Sequence, residues 1–338
     1  SMRFDDDKLT MLVKEFIENI WYSKHPFGIV LLPLSWIYSL IVVVRRLCYR
    51  SGLIAVNQVS VPVIIVGNIS VGGTGKTPLV IWLAEYFKKK GFKPGIISRG
   101  YGGKFAGKTQ QVRADSNPSL VGDEPVLIAK RTNCSVAIAV KKSRAAEELI
   151  EYCDCNLIIC DDGMQHYSLN RDIEIAVIDG QRRFGNERCL PAGPLREPIS
   201  RLKTVDLVVS KYIAARHQYK MEYIYGDLVS LIDPEHTISI SSLKGASVHV
   251  ISGIGNPDKY HSYLRNNKLH IICHEFSDHY PYKKKDVVFE DDFPVVMTEK
   301  DAVKCIDYAT KDYWYLPIIA VLPDSFTYRL EALMKDII

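Results

Sequence analysis

The chain has 338 residues, 47% hydrophobic and 24% charged, which is ordinary for a globular protein of about two domains. Its net charge of +4 is too small to mark a nucleic-acid binder, and an anionic membrane surface stays open, where placement of charge matters more than its total. Eight cysteines are scattered without a C-x-x-C pair, which removes zinc and thioredoxin-like readings and points to free thiols in a reducing compartment.

The first predicted element is an amphipathic helix. Leu9, Val13, Phe16, Ile17, Ile20 and Trp21 recur at helical spacing, with Lys8, Lys14 and Glu15 between them. Phe27 to Val44 follows without a charge, preceded by Lys24 and His25 and followed by Arg45, Arg46 and Arg50. This run is at the lower length limit for a membrane span. A short span, an interfacial hairpin with Pro33 as its break and a buried core helix all satisfy its composition. Residues 1–50 are therefore expected to form N-terminal membrane-associating helices. Basic residues on both sides leave the positive-inside rule undecided.

An apolar strand, Val61–Val66, leads directly into Ser70-Val71-Gly72-Gly73-Thr74-Gly75-Lys76-Thr77-Pro78. Strand, glycine-rich loop, Lys-Thr and helix together make a phosphate-cradling loop. The glycines allow backbone angles that turn amides toward phosphate oxygens. Lys76 supplies a point charge for the β- and γ-phosphates, and the Thr77 hydroxyl suits Mg²⁺. The helix that starts there adds the positive end of its dipole. Ser70 stands where the general pattern has glycine.

Strands are then predicted at Gly95–Ser98, Val136–Val140, Leu157–Cys160, Ile173–Asp179 and Leu207–Ser210, alternating with helices such as Leu79–Lys90 and Lys142–Tyr152. Short, apolar, rarely alternating strands are buried on both faces. The fold class is α/β: a P-loop NTPase-like three-layer α/β/α domain with a largely parallel sheet over 51–212, ligand expected at the strand carboxyl ends. Residues 213–226 read as a linker or hinge. A second, smaller α/β domain follows over 227–338, with strands at Ser247–Ser252, His270–His274, Val295–Thr298 and Pro317–Val321.

Several segments carry polar chemistry. Asn156–Cys160 closes in Asp161-Asp162-Gly-Met-Gln165-His166, and an apolar strand ending in acids places a carboxylate near Mg²⁺ beside a phosphate loop. Gly122-Asp123-Glu124-Pro125 sits ahead of a helix, where acids also occur for capping alone. Arg99, in Ser98-Arg-Gly-Tyr-Gly-Gly103, suits a phosphate contact. Pro191–Glu197 is a rigid loop ending in Arg196 and Glu197. His279 follows Asp278, which could orient its imidazole. Thr298-Glu-Lys-Asp301 ends a strand as either a helix N-terminus or a nucleotide contact.

With these pieces in place, the chain resembles the tetraacyldisaccharide 4′-kinase family of lipid A biosynthesis. The resemblance rests on the hydrophobic N-terminus, GNISVGGTGKTP at 67–78, SRGYGG at 98–103, GDEP at 122–125, DDGMQH at 161–166, GPLRE at 193–197, DHY at 278–280 and TEKD at 298–301, in the family's order. It implies transfer of the γ-phosphoryl of ATP to the 4′-hydroxyl of a lipid-linked glucosamine disaccharide 1-phosphate, with Mg²⁺, at the cytoplasmic face of the inner membrane. It implies two α/β/α domains joined by a short β-ribbon. Lys76 and Thr77 match positions that hold phosphates and Mg²⁺, and Asp123 and His279 match an Asp–His pair that activates the sugar hydroxyl. Glu124, Asp161 and Asp162 match acids around Mg²⁺; Gln165, His166, Arg196 and Glu197 match further active-site positions. If Asp123 and His279 lie in different domains, a hinge near 213–226 must close to join them. The implied partners are the lipid-linked substrate and a membrane surface, with no nucleic acid and no obligate protein partner.

Two other classes stay in view. A membrane-associated P-loop ATPase switch carries an extra lysine early in its loop, where this chain has Val71. A cytosolic small-molecule kinase or ligase would have no use for the Phe27–Val44 run. The discriminator is whether ATP turnover needs a lipid-sugar acceptor.

Overall fold

The structure is a computed structural model, and it describes residues 13, 15–23, 25–73, 75–100, 103, 107 and 109–337. They fall into two compact units: 1–76, 162–221 and 322–338 form one, and 77–161 and 222–321 the other. The strands are β1 (Val63–Gly67), β2 (Pro94–Ser98), β3 (Gln110–Val112), β4 (Ser135–Ile138), β5 (Leu157–Asp161), β6 (Ile173–Asp179), β7 (Leu207–Lys211) and β8 (Tyr219–Tyr225). Then come β9 (Leu228–Ser230), β10 (Thr237–Ile238), β11 (Ser247–Ser252), β12 (His270–Glu275), β13 (Val295–Thr298), β14 (Tyr313–Leu316) and β15 (Ile318–Val321).

In the first unit β1, β6, β7 and the start of β8 run parallel in that order. All five residues of β1 are buried, as a strand covered on both faces requires. The helix Leu32–Arg50 is attached along one side only. The Ser35 hydroxyl donates to the Cys189 carbonyl at 2.7 Å, the Tyr38 hydroxyl donates to the Arg196 carbonyl at 3.1 Å, and the Tyr49 ring lies 5.8 Å from that of Tyr167. Leu34, Trp36, Ile37, Leu40, Ile41, Val44 and Leu47 are exposed, Trp36 to 67%. At 100° per residue these side chains make one continuous apolar flank opposite the attached side.

In the second unit β2 runs parallel to both β4 and β5, and β3 pairs antiparallel with β4. A separate six-stranded sheet has the order β10-β9-β14-β13-β11-β12. Its core of Val248, Val250, Leu264, Val296 and Leu316 packs with the ring of Trp314. The strand read at Pro317–Val321 forms as β15, but it pairs antiparallel with the end of β8 instead of joining this sheet; β14, just before it and not read from the sequence, ends at Leu316 inside the sheet. Pro317 has no N–H for a ladder, so the chain changes partner there. Within 213–226, read as a linker, the structure forms β8.

Candidate active site

In the first unit the phosphate loop is built on β1. Gly67 closes the strand, and a Cβ there would stand 2.5 Å from the Met164 side chain, so only glycine lets the 161–166 turn press against it. That turn is bonded down: Gly163 N–H donates to the Val66 carbonyl at 3.1 Å, and the Gln165 amide donates to the Asn68 carbonyl at 3.0 Å. The rigid loop that ends in Arg196 pairs with the same stretch. Val71 N–H donates to the Pro194 carbonyl at 2.8 Å, and Arg196 N–H donates to that of Ile69 at 2.6 Å. Gly72 and Gly75 take φ of 108° and 83°, a region that favours glycine. Two cations therefore converge on one carboxylate. Lys76 Nζ lies 3.3 Å from Asp162 Oδ1, and Arg196 Nη1 lies 3.2 Å from each Asp162 oxygen.

Beneath this layer is a buried, charge-balanced network. Glu197, 1% exposed, accepts from Gln165 Nε2 at 2.8 Å and from the Tyr167 hydroxyl. Arg201 Nε stands 3.3 Å from it, and Arg201 Nη2 bonds both oxygens of Glu174 at 2.6 and 2.8 Å. Arg171 bonds Glu174 at 2.7 Å and the carbonyls of Met164 and His166 at 3.1 and 2.6 Å. Burial first, and then Glu197, push the Tyr167 phenol well above its ordinary value, so it stays a neutral donor. Glu197 thus acts on the floor of the loop, through Gln165.

In the second unit Asp123 opens the helix Asp123–Thr132. Gly122 before it has φ 94° and ψ 148°, a conformation essentially reserved for glycine. Gly100 and Gly103 pack on this turn: a Cβ would lie 3.1 Å from the Val121 carbonyl oxygen at the first and 2.4 Å from that of Leu120 at the second. His279 Nδ1 meets Asp123 Oδ1 and Oδ2 at 2.9 and 3.0 Å. Asp123 is 3% exposed. Burial would raise its carboxyl, but the His279 hydrogen bond and the charges of Lys300, His279 and Lys304 hold it below the usual range. The His279 imidazole is raised above the ordinary histidine value, foremost by its bond to Asp123 and against burial. Lys300 Nζ completes the cluster at 2.8 Å from Asp278 Oδ1 and 3.2 Å from Glu124 Oε1. Lys304 Nζ is 3.7 Å from Asp123 Oδ2.

The family model described as tetraacyldisaccharide-1-P 4′-kinase matches residues 27–335. The chain belongs to this family. Among its relatives, the tetraacyldisaccharide 4′-kinase of Nitrosococcus oceani is 46% identical over 316 residues, covering 94% of this chain and 93% of that one. That of Methylobacillus flagellatus is 47% identical over 326 residues, covering 95% and 97%. Among solved structures, LpxK from Aquifex aeolicus in complex with ATP superposes with a TM-score of 0.79 at 29% identity, covering 92% of this chain and 99% of that one.

The remaining expected positions of this tetraacyldisaccharide-1-P 4′-kinase family member are placed as follows. Ser70 is buried and bridges to Leu195. Val71, Gly72, Gly73 and Gly75 form the loop, and Lys76 and Thr77 begin the helix Lys76–Lys89; Thr74 lies outside the described residues, as do Tyr101 and Gly102. Asp161 ends β5, 3.4 Å from the Ser98 hydroxyl that donates to it. Arg99 is exposed just after β2, with no ion pair among the described residues. The Arg171 guanidinium holds the His166 carbonyl. Among the described residues no group of three or more His, Cys, Asp or Glu side chains converges as a metal-binding cluster. Glu124, expected near Mg²⁺, faces Lys300. Lys300 lies in the Thr298–Asp301 segment, read as a helix N-terminus or a nucleotide contact, and Lys304 lies just beyond it. Lys142 was missed; it is 2% exposed and donates to the Asp161 carbonyl. Its only signal was a lysine opening a helix just after a strand end.

Proposed function

We propose that this protein is an ATP-dependent kinase that phosphorylates the 4′-hydroxyl of a tetraacylated glucosamine disaccharide 1-phosphate, the lipid A precursor. The observation that carries this reading is the Asp123–His279 hydrogen bond at 2.9 Å in a chain that also carries the 70–77 phosphate loop. A sugar hydroxyl is a poor nucleophile until its proton has a destination, and a buried carboxylate backed by an imidazole supplies one.

Lys76, the loop amides and the helix N-terminus would hold the β- and γ-phosphates of ATP. Arg196, drawn beside Lys76 by their shared carboxylate, adds a second charge against the transferring group. Asp123 takes the 4′-hydroxyl proton as the oxygen–phosphorus bond forms, and the β–γ bond breaks with its electron pair leaving on ADP. General-base assistance is worth roughly 10²–10⁴-fold; alignment and charge neutralisation supply the larger share. The Thr77 hydroxyl and the Asp161 and Asp162 carboxylates are hard oxygen donors, the set Mg²⁺ prefers. When bound, the ion neutralises charge on the phosphates.

A multiply acylated acceptor stays in the bilayer, so the enzyme must go to it. Among the described residues the helix Leu32–Arg50 is long and apolar enough to cross a membrane. Its attachment through Ser35, Tyr38 and Tyr49 favours a helix lying in the cytoplasmic interface of the inner membrane, apolar flank inward. The test of the whole reading is transfer of labelled γ-phosphate to the acylated disaccharide. ATP turnover indifferent to that lipid would instead favour the ATPase-switch class.

A further inference from the structure

Lys300 stands against the side of His279 turned away from Asp123. Its Nζ lies 3.4 Å from His279 Nε2, 2.8 Å from Asp278 Oδ1 and 3.2 Å from Glu124 Oε1. An ammonium offers three donors and no lone pair. The group that faces it must therefore accept. His279 Nδ1 meanwhile faces both oxygens of a carboxylate, which only accept, so that nitrogen must donate.

The lysine is itself held in place. The Thr298 hydroxyl caps its helix, Glu299–Cys305, by accepting from Asp301 N–H at 3.2 Å. Asp301, fully buried, accepts from Thr298 Oγ1 at 2.6 Å, Tyr282 Oη at 3.0 Å and Gly253 N–H at 2.8 Å, and pairs with Lys304 at 3.1 Å.

We propose that Lys300 is a positioning residue that locks His279 as the Nδ1–H tautomer, leaving Asp123 as the group that receives the acceptor's proton. The charged groups around the imidazole set Lys300 Nζ, 3.4 Å from Nε2, against Asp278 Oδ2, 3.6 Å from the same nitrogen, and Lys300 itself holds Asp278 through Oδ1. Asp123 and Glu124 face the ring from the helix Asp123–Thr132, Asp278 from its own loop, and Lys300 and Lys304 from the helix Glu299–Cys305. With Lys300 on Nε2, the ring has no second acceptor to offer the sugar hydroxyl, and its part is to orient and polarise the carboxylate. Burial would lower the Lys300 ammonium, but Glu124, Asp123 and Asp278 hold it above the ordinary lysine value, so it remains a donor. The proposal rests on the kinase reading above for its consequence, though its structural content can be measured without turnover.

The experiment uses the intact chain with nitrogen-15-labelled histidine, His279→Gln serving to assign the resonances. The expected spectrum shows Nδ1 protonated and Nε2 bare for His279, and mixed tautomers in Lys300→Gln. Lys300→Arg, which keeps a donor in place, retains the Nδ1–H form. In steady-state assays Lys300→Gln should lower kcat by about 10- to 100-fold, short of the ~10²–10⁴ of a whole general base. KM for ATP should move by less than about threefold, and Lys300→Arg should recover most of the loss. At a pH above the raised His279 value, where the ring is neutral, an Nε2–H signal in the intact enzyme overturns the proposal whatever the kinetics, as does Lys300→Gln with spectrum and kcat unchanged. If the intact protein transfers nothing to the lipid, the kinase reading fails while the spectra still decide the tautomer.

Discussion

The Nη1 atom of Arg131 lies 2.9 Å from Oε1 and 2.8 Å from Oε2 of Glu299. This pair braces the helix that begins with Asp123 against the helix that carries Lys300. Burial lifts the Glu299 carboxyl above its usual range, and Arg131 opposes that rise. Removing one partner strands a buried charge. Glu299→Ala should therefore cost about 3 kcal/mol, the lower end for a broken buried pair, read as a shift in the denaturation midpoint. The Arg131→Met, Glu299→Leu double variant should recover most of it. A midpoint untouched by Glu299→Ala would remove the brace.

Asp123→Asn should lower kcat by roughly 10²–10⁴-fold, and His279→Gln by less, with ATP affinity near that of the intact enzyme in both. Because the two act as a unit, the double variant should fall little further than Asp123→Asn alone. Kinetic penalties that multiply independently would contradict the pairing.

The same pair predicts opposite pH trends for stability and rate. His279 has a raised folded-state value, so its stabilising contribution is complete below the unfolded value of about 6.5 and is lost as pH rises through the folded one. Asp123 has a lowered value; its contribution is present above about 3.9 and is lost as pH falls through the folded value. The difference in melting temperature between the intact enzyme and His279→Gln should thus shrink with rising pH above 6.5. Over the same window kcat/KM should rise, because an imidazolium competes for the Asp123 electrons that must receive the substrate proton. A rate limb at or below the ordinary histidine value would contradict this.

Gly122 offers a test of backbone strain. A side chain at φ 94°, ψ 148° costs on the order of 1–3 kcal/mol, and Asp123 is the next residue. Gly122→Ala should lose stability in that range and also lower kcat, as seen in paired denaturation and turnover measurements.

The apolar flank of Leu32–Arg50 should carry membrane binding. Replacing Leu40 and Val44 by glutamate should reduce recovery in liposome flotation while leaving the melting temperature of the body unchanged, since both side chains are exposed. Equal flotation would show that another surface makes the contact.

What was legible in the sequence follows the range of each interaction. β1, the loop and the helix after it are neighbours along the chain, and glycines, Lys76 and Thr77 announce them. Asp123 and His279 stand 156 positions apart. Asp123 alone reads as a helix-start acid, and His279 alone as an ordinary histidine; only the family resemblance joined them. The structure forms the pair within one compact unit. Glu197 reads from the resemblance only as a further active-site position; its partners Gln165 and Tyr167 come from one turn and Arg201 from the chain just after it, with Tyr167 and Arg201 buried alongside it. β8 does alternate: Met221 is buried and Tyr219, Tyr223 and Tyr225 are half-buried between exposed Lys220, Glu222 and Ile224, but half-buried tyrosines and an outward isoleucine blur which face is apolar.

The most direct measurement is phosphate transfer from γ-labelled ATP to the tetraacylated disaccharide 1-phosphate, comparing the intact chain with Lys76→Ala. The account predicts label on the 4′ position of the lipid with the intact chain and none with the variant. ATP consumed without label entering the lipid, or transfer surviving the loss of Lys76, would contradict it.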